Sequence, residues 1–170
     1  MEKSDSKIIT VLLTRYYDKV SNFIYYITGR GYTHASISLG EGEDCFYSFN
    51  FKGFRIEHPG KHREKVKMGE SVAYRLAVTE EEYERISHYI EKMKENSAVL
   101  SYSSFGVFLC MLRIPFKMKN RYFCSQFVAE TLQQTKSVQL RKKASLYFPN
   151  ELPKVLERQS CLREILYNPI

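Results

Sequence analysis

Arg121-Tyr-Phe-Cys-Ser-Gln-Phe-Val-Ala-Glu-Thr-Leu132 is the stretch around which the chain is organised. Beyond Cys124, the residues Phe127, Val128, Thr131 and Leu132 recur at the spacing of a helix packed by one face on a core, and nothing before Gln133 interrupts them. The spacing predicts a helix with Cys124 in its first turn. A sulfur there feels the positive end of the helix dipole and the unpaired backbone N–H groups, which favour thiolate over thiol. The competing reading of such a cysteine is a small, buried apolar residue. A base nearby would separate the two.

The chain has 170 residues, 44% hydrophobic and 14% aromatic, enough to close one core and too few for two comfortable domains, so a single domain over 1–170 is expected. Thirteen Tyr and eleven Phe against no Trp point to an aromatic-rich core or groove. The net charge of +7 gives some face a basic character, which favours anionic ligands by steering; a plain solvated surface explains it equally well.

Cys45, Cys110, Cys124 and Cys161 have no CxxC pairing, so neither a zinc knuckle nor a thioredoxin motif is supported, and they read as reduced thiols. His58 and His62 have i, i+4 spacing, yet Pro59 and Gly60 between them deny the helix that would put both on one face. No metal and no cofactor is expected. The apolar run Ile8–Leu13 is too short for a signal-peptide core or a membrane span, which leaves a cytoplasmic chain as the expectation.

Along the chain, 7–13 reads as a buried strand. Thr14 is placed to cap a helix over 16–27, with Tyr16, Val20, Phe23, Ile24 and Ile27 inward and Gly29 and Gly31 ending it. Residues 34–39 and 45–51 alternate as two strands of a hairpin turning over 40–43. Period two places His34, Ser36 and Ser38 on one face and Ala35, Ile37 and Leu39 on the other.

A short strand over 53–57, a turn at His58-Pro-Gly60, a solvated basic loop over 61–67 and a strand over 71–78 follow. Thr79-Glu-Glu-Glu82 is a capping box opening a helix with Tyr83, Ile86, Ile90 and Met93 inward. Residues 102–112 read as a second buried helix closed by Pro115, 149–156 as a short helix and 161–167 as a last strand. The cations Lys117, Lys119 and Arg121, with Arg141-Lys-Lys143 further on, carry no recognisable nucleic-acid-binding signature, so nucleic acid is disfavoured as a partner.

A cysteine opening a core helix and a histidine starting a strand are the parts of a thiol–imidazole pair, in which the base takes the thiol proton and later gives it to the leaving group. Such a pair is defined by geometry and not by chain order.

Tyr32-Thr-His-Ala-Ser-Ile-Ser-Leu39, Phe46-Tyr-Ser-Phe49, Phe123-Cys-Ser-Gln-Phe-Val-Ala129 and Phe148-Pro-Asn-Glu-Leu152 together resemble the circularly permuted papain-like amidases of the YaeF/YiiX type. Those are relatives of the NlpC-type cysteine peptidases and of lecithin:retinol acyltransferase. The resemblance spans most of the chain, and its histidine precedes its cysteine, the reverse of papain.

It implies an α+β, permuted papain-like domain with a small antiparallel sheet packed on the cysteine helix. Cys124 would be the nucleophile of an amide-cleaving hydrolase or thiol protease, and His34 its general base. The Cys124 N–H would stabilise the oxyanion. Tyr102 is the best match to a family tyrosine before the cysteine helix, with Tyr122 its competitor.

Substrates would be small peptides, muropeptides, isopeptides or lipid-linked amides, with ester cleavage an occasional variant of the family's reaction. Acyl transfer of the lecithin:retinol acyltransferase kind is the alternative, as is a non-catalytic binding module that keeps the fold. In the family a polar residue, often glutamate, orients the histidine from the strand after it. The expected hairpin register favours Ser48 for this place, then Glu57 from the next segment, then Asn50. A hydroxyl would orient the ring without stabilising its charge.

Overall fold

The computed structural model describes residues 6–41, 45–59 and 68–170. Among them run eight strands, β1 (Lys7–Tyr16), β2 (His34–Leu39), β3 (Phe46–Asn50), β4 (Gly53–Glu57), β5 (Met68–Val78), β6 (Ser101–Tyr102), β7 (Arg121–Tyr122) and β8 (Leu162–Tyr167). Five α-helices accompany them: α1 (Lys19–Ile27), α2 (Glu80–Glu95), α3 (Ser104–Met111), α4 (Cys124–Leu132) and α5 (Leu152–Leu156). The α+β expectation is met by a six-stranded antiparallel sheet of order β4-β3-β2-β1-β5-β8 and a two-stranded parallel β6-β7 ladder. Half of the turn over 40–43, Gly60 of the next turn and the whole loop over 61–67, with its residue 62, lie outside the described residues.

β1 is the central strand. Its residues Ile9 to Leu13 are all essentially inaccessible, so it is covered on both faces, which is why its sequence is a continuous apolar run and not an alternation. Helix α4 packs on the face that carries Ile37, Phe49 and Phe54, and Phe127 meets the rings of Phe49, Phe54 and Tyr89 at centroid distances of 5.3, 5.8 and 6.3 Å. Burial of one such phenylalanine stabilises by about 1.5–3 kcal/mol, and each well-oriented ring pair adds about 0.5–1.5. These contacts hold the cysteine helix on the sheet.

Two element boundaries differ from expectation. β1 continues through Tyr16, and Thr14 lies in the sheet opposite His34 and Ser71 instead of capping a helix. The register slips between Thr14 and Tyr16, where β5 carries one residue more than β1, and Arg15 of β1 turns inward there. Its guanidinium bonds the Tyr16 carbonyl and Asn22 Oδ1 and lies 3.9 Å from the centroid of the Tyr25 ring. Helix α1 therefore starts later, capped by Asp18, whose carboxylate accepts from the Ser21 N–H at 3.0 Å and its hydroxyl at 2.5 Å. Phe23 and Ile27 on α1 are exposed, not inward. Helix α3 is not a buried helix either, since only Gly106 and Cys110 of it are buried.

Gly53 opens β4 with φ +88°, and a Cβ there would stand 2.5 Å from the Leu100 carbonyl oxygen. Only glycine lets β4 lie this close to the chain entering β6, which brings Tyr102 beside the β3–β4 hairpin.

The capping box of α2 also reaches beyond its own helix. Glu82 accepts from the Thr79 N–H, and also from the N–H groups of Lys136 and Ser137 and the Ser137 hydroxyl, the two residues of the loop that follows α4. Burial opposes its charge, but these donors outweigh it and lower its carboxyl to about 2. A depressed carboxyl stabilises above its unfolded value and loses that contribution as pH falls through the folded one. Glu82→Gln is expected to cost about 2–3 kcal/mol near neutral pH, with the deficit shrinking between about pH 4 and 2. Urea unfolding of both proteins across that range checks it.

Candidate active site

Each candidate group stands at the end of its element. Cys124 is the first residue of α4, and Phe123 before it provides no side-chain cap, so the first-turn N–H groups are left to serve a ligand. His34 is the first residue of β2, paired to Thr14 of β1. The ring of His34 and the thiol of Cys124 line one cleft of about 740 Å³, near enough for the sulfur to act on the ring's protonation.

The group that holds the ring is Glu57. Its Oε2 lies 3.0 Å from His34 Nε2, and its Oε1 accepts a 2.5 Å hydrogen bond from the Ser48 hydroxyl. The expected order of Ser48 over Glu57 is thus reversed in place, and the register explains why. Ile37 lies opposite Tyr47, so counting along the pair brings Ser48 beside Ser36 and not beside His34. Phe46 lies opposite Glu57 and Ser48 opposite Arg55, so Glu57 and Ser48 share a face of the β3–β4 hairpin. The longer carboxylate reaches across β3 to the ring, and the hydroxyl steadies it from beneath. Asn50 lines the cleft, and its Oδ1 accepts from the Lys52 N–H.

The His34 and Glu57 side chains are only 10% and 18% exposed. Burial pushes the imidazole toward neutrality, yet the Glu57 charge, the nearby Cys124 sulfur and the bond the ring donates to Glu57 outweigh it and raise His34 well above its ordinary value. A lone hydroxyl could not do this. With Nε2 engaged by Glu57, Nδ1 is the nitrogen left for the thiol.

Two phenols border the pair. Tyr102 lines the cleft, and burial first, then the Cys124 charge, raises its hydroxyl, so it stays a protonated donor. Tyr122, opposite it in the β6-β7 ladder, is instead packed on Phe49 at 5.0 Å inside the core. Tyr16 was missed as a site residue because its spacing matched a helix. β1 runs on through Tyr16, whose ring lies 5.2 Å from that of His34, and burial raises its hydroxyl too. The signal lay in Thr33, whose hydroxyl accepts from the Tyr16 N–H and ties the two strand ends together.

Ile24, Phe49, Phe51 and Ile56 make the apolar part of the wall, with Lys52 and Arg55 exposed beside them. Among the described residues no three His, Cys, Asp or Glu side chains are grouped to hold a metal. Comparison of the chain with protein-family models and with curated proteins finds no match.

Two outcomes are expected. Because the folded His34 value lies above the unfolded one, the pair stabilises below about pH 6.5 and the contribution is lost as pH rises through the folded value. Glu57→Gln should be less stable than wild type by about 1–2 kcal/mol near pH 6, and denaturant titrations at rising pH should see that gap narrow.

The second concerns the thiols. Burial pushes Cys110 up to about 12 and raises Cys161, whereas Cys124 borders an open cleft beside a base. In the folded protein at pH 7, peptide mapping after brief iodoacetamide exposure should find Cys124 modified before these two.

Proposed function

We propose that the protein is a cysteine hydrolase that cleaves amide bonds through an acyl-enzyme on Cys124, with His34 as general base and Glu57 as the residue that orients and charges it. The observation that carries this reading is the line Cys124–His34–Glu57–Ser48 ending at the wall of a cleft. Support also comes from the α+β fold with the cysteine helix on the sheet, and from the resemblance to the permuted papain-like amidases.

Cys124 Sγ attacks the substrate carbonyl carbon as His34 takes the thiol proton. The negative charge that forms on oxygen meets the N–H of Cys124 at the helix N-terminus, with the Tyr102 hydroxyl as the side-chain donor. His34 then gives its proton to the departing amine nitrogen, the C–N bond breaks, and a thioester remains. Water, relieved of a proton by the same ring, hydrolyses the thioester and frees the thiol. Glu57 keeps the imidazolium favourable at each transfer, and Ser48 holds Glu57.

The apolar walls formed by Ile24, Phe49, Phe51 and Ile56 favour a substrate whose acyl part is hydrophobic. They also keep open the second reading, passage of the acyl group to an acceptor other than water.

With small peptide, acyl-ester and muropeptide panels, Cys124→Ala should abolish turnover while leaving the fold intact. His34→Ala should cost about 10²–10⁴-fold in kcat. Glu57→Gln should fall between wild type and His34→Ala, and Ser48→Ala should lose less than Glu57→Gln. Intact-mass detection of a thioester on Cys124 identifies the acyl group. Full turnover by Cys124→Ala, or an early-melting His34→Ala that keeps wild-type turnover, would sink the proposal.

A further inference from the structure

Away from the cleft, α3 and the loop after it carry Phe105, Phe108, Leu112, Ile114 and Phe116, each 46–52% exposed. Single exposed apolar residues are ordinary, but these lie close together in the chain and three of their rings meet in space. Phe105 stacks on Phe108 and meets Phe116 edge-on, both at 6.4 Å between centroids. The stretch from Arg113 to Arg121 bears four exposed cations, Arg113, Lys117, Lys119 and Arg121, of which Lys117 pairs with Glu130 at 2.7 Å.

Beside this segment lies a cleft of about 540 Å³ whose wall includes Met111 and Arg113 together with Arg141, Lys142, Lys154 and Arg158. The one carboxylate in that lining, Glu151, bonds Arg113 at 2.9 Å and Lys142 at 2.8 Å. Arg141, Lys154 and Arg158 make no ion pair among the described residues. The far side of the cleft is the end of α1, where Ile27 is again exposed.

An apolar patch and a basic cleft that share Arg113 restrict what can cover them. A soluble polyanion would pair the cations and leave five large apolar side chains in water. A second copy of the chain would bury those side chains and press like charges together, which is destabilising. An anionic bilayer accommodates both, since apolar side chains enter the headgroup–acyl boundary while Lys and Arg stems run up to the phosphates. No described helix is long and apolar enough to cross a membrane, so such docking is peripheral.

We infer that the face formed by residues 105–121 and the basic cleft beside Arg113 docks on a membrane surface rich in anionic phospholipid. Docking requires no turnover, so it stands or falls apart from the catalytic chemistry.

Co-sedimentation with phosphatidylcholine vesicles, with and without phosphatidylglycerol, tests it. Wild type should partition onto the phosphatidylglycerol vesicles, more weakly onto phosphatidylcholine alone, and less as salt shortens the screening length. Lys119→Glu with Arg121→Glu should weaken partition by more than tenfold, about fivefold for each cation lost. Phe108→Asp with Ile114→Asp should weaken it comparably. Lys92→Glu with Lys94→Glu makes the same charge change on the exposed side of α2 and should bind more tightly than the Lys119 and Arg121 pair. All these side chains are solvent-facing, and unchanged melting temperatures will show that the variants fold.

Equal partition onto both vesicle types would overturn the inference, as would equal losses from the two charge-reversal pairs. So would undiminished binding of the apolar variant. A concentration-dependent dimer that Ile114→Asp dissolves, without vesicle binding, would assign the face to a second copy.

Discussion

All nine residues of the helix that begins with Cys124 are buried, and the rest of the architecture follows from that enclosure. A helix hidden on every side has no solvent face for its polar residues, so each must be answered from within. Ser125 donates to the Tyr147 carbonyl at 2.7 Å and Thr131 to the Phe127 carbonyl at 2.8 Å. Glu130 accepts from Gln126, Tyr89 and Lys117 at 3.0, 3.1 and 2.7 Å. Ionised partners make such bonds costly to break, about 1–3 kcal/mol for each group left unsatisfied. The helix therefore has one orientation, and its first residue one position.

The sheet supplies the other half of the geometry. Glu57, Ser48 and His34 stand on adjacent strands β4, β3 and β2, so the line from carboxylate to imidazole runs across strands. Strand register sets its spacing, and a slip of one residue would turn Glu57 away. β4 is an edge strand, and Gly53 is what lets it pack against the chain leading to Tyr102. The same close approach thus sets the strand of Glu57 and the ring of Tyr102 side by side.

Cys124 and His34 were legible because their neighbours announce their positions, a helical spacing after one and strict alternation after the other. Glu57 was harder to read. Which residue on a following hairpin reaches a given ring depends on register and side-chain length together, and the loop between β2 and β3 fixes neither from composition. Tyr16 was hidden because Tyr16, Val20, Phe23, Ile24 and Ile27 keep helical spacing, although β1 runs on through Tyr16. The exposed rings of α3 resisted reading for another reason. A run such as Phe105-Gly-Val-Phe-Leu-Cys110 looks like core, and its exposure follows only from tertiary placement.

A thiol at a helix start is common, and what gives this one chemical meaning is an imidazole kept basic by a buried carboxylate. Side-chain ¹⁵N NMR of His34 across pH reads that directly. The expected result is titration above 6.5, with the Nε2 proton retained toward Glu57 and the midpoint moved down in Glu57→Gln. Titration at or below 6.5 in wild type, or a midpoint indifferent to Glu57→Gln, would contradict it.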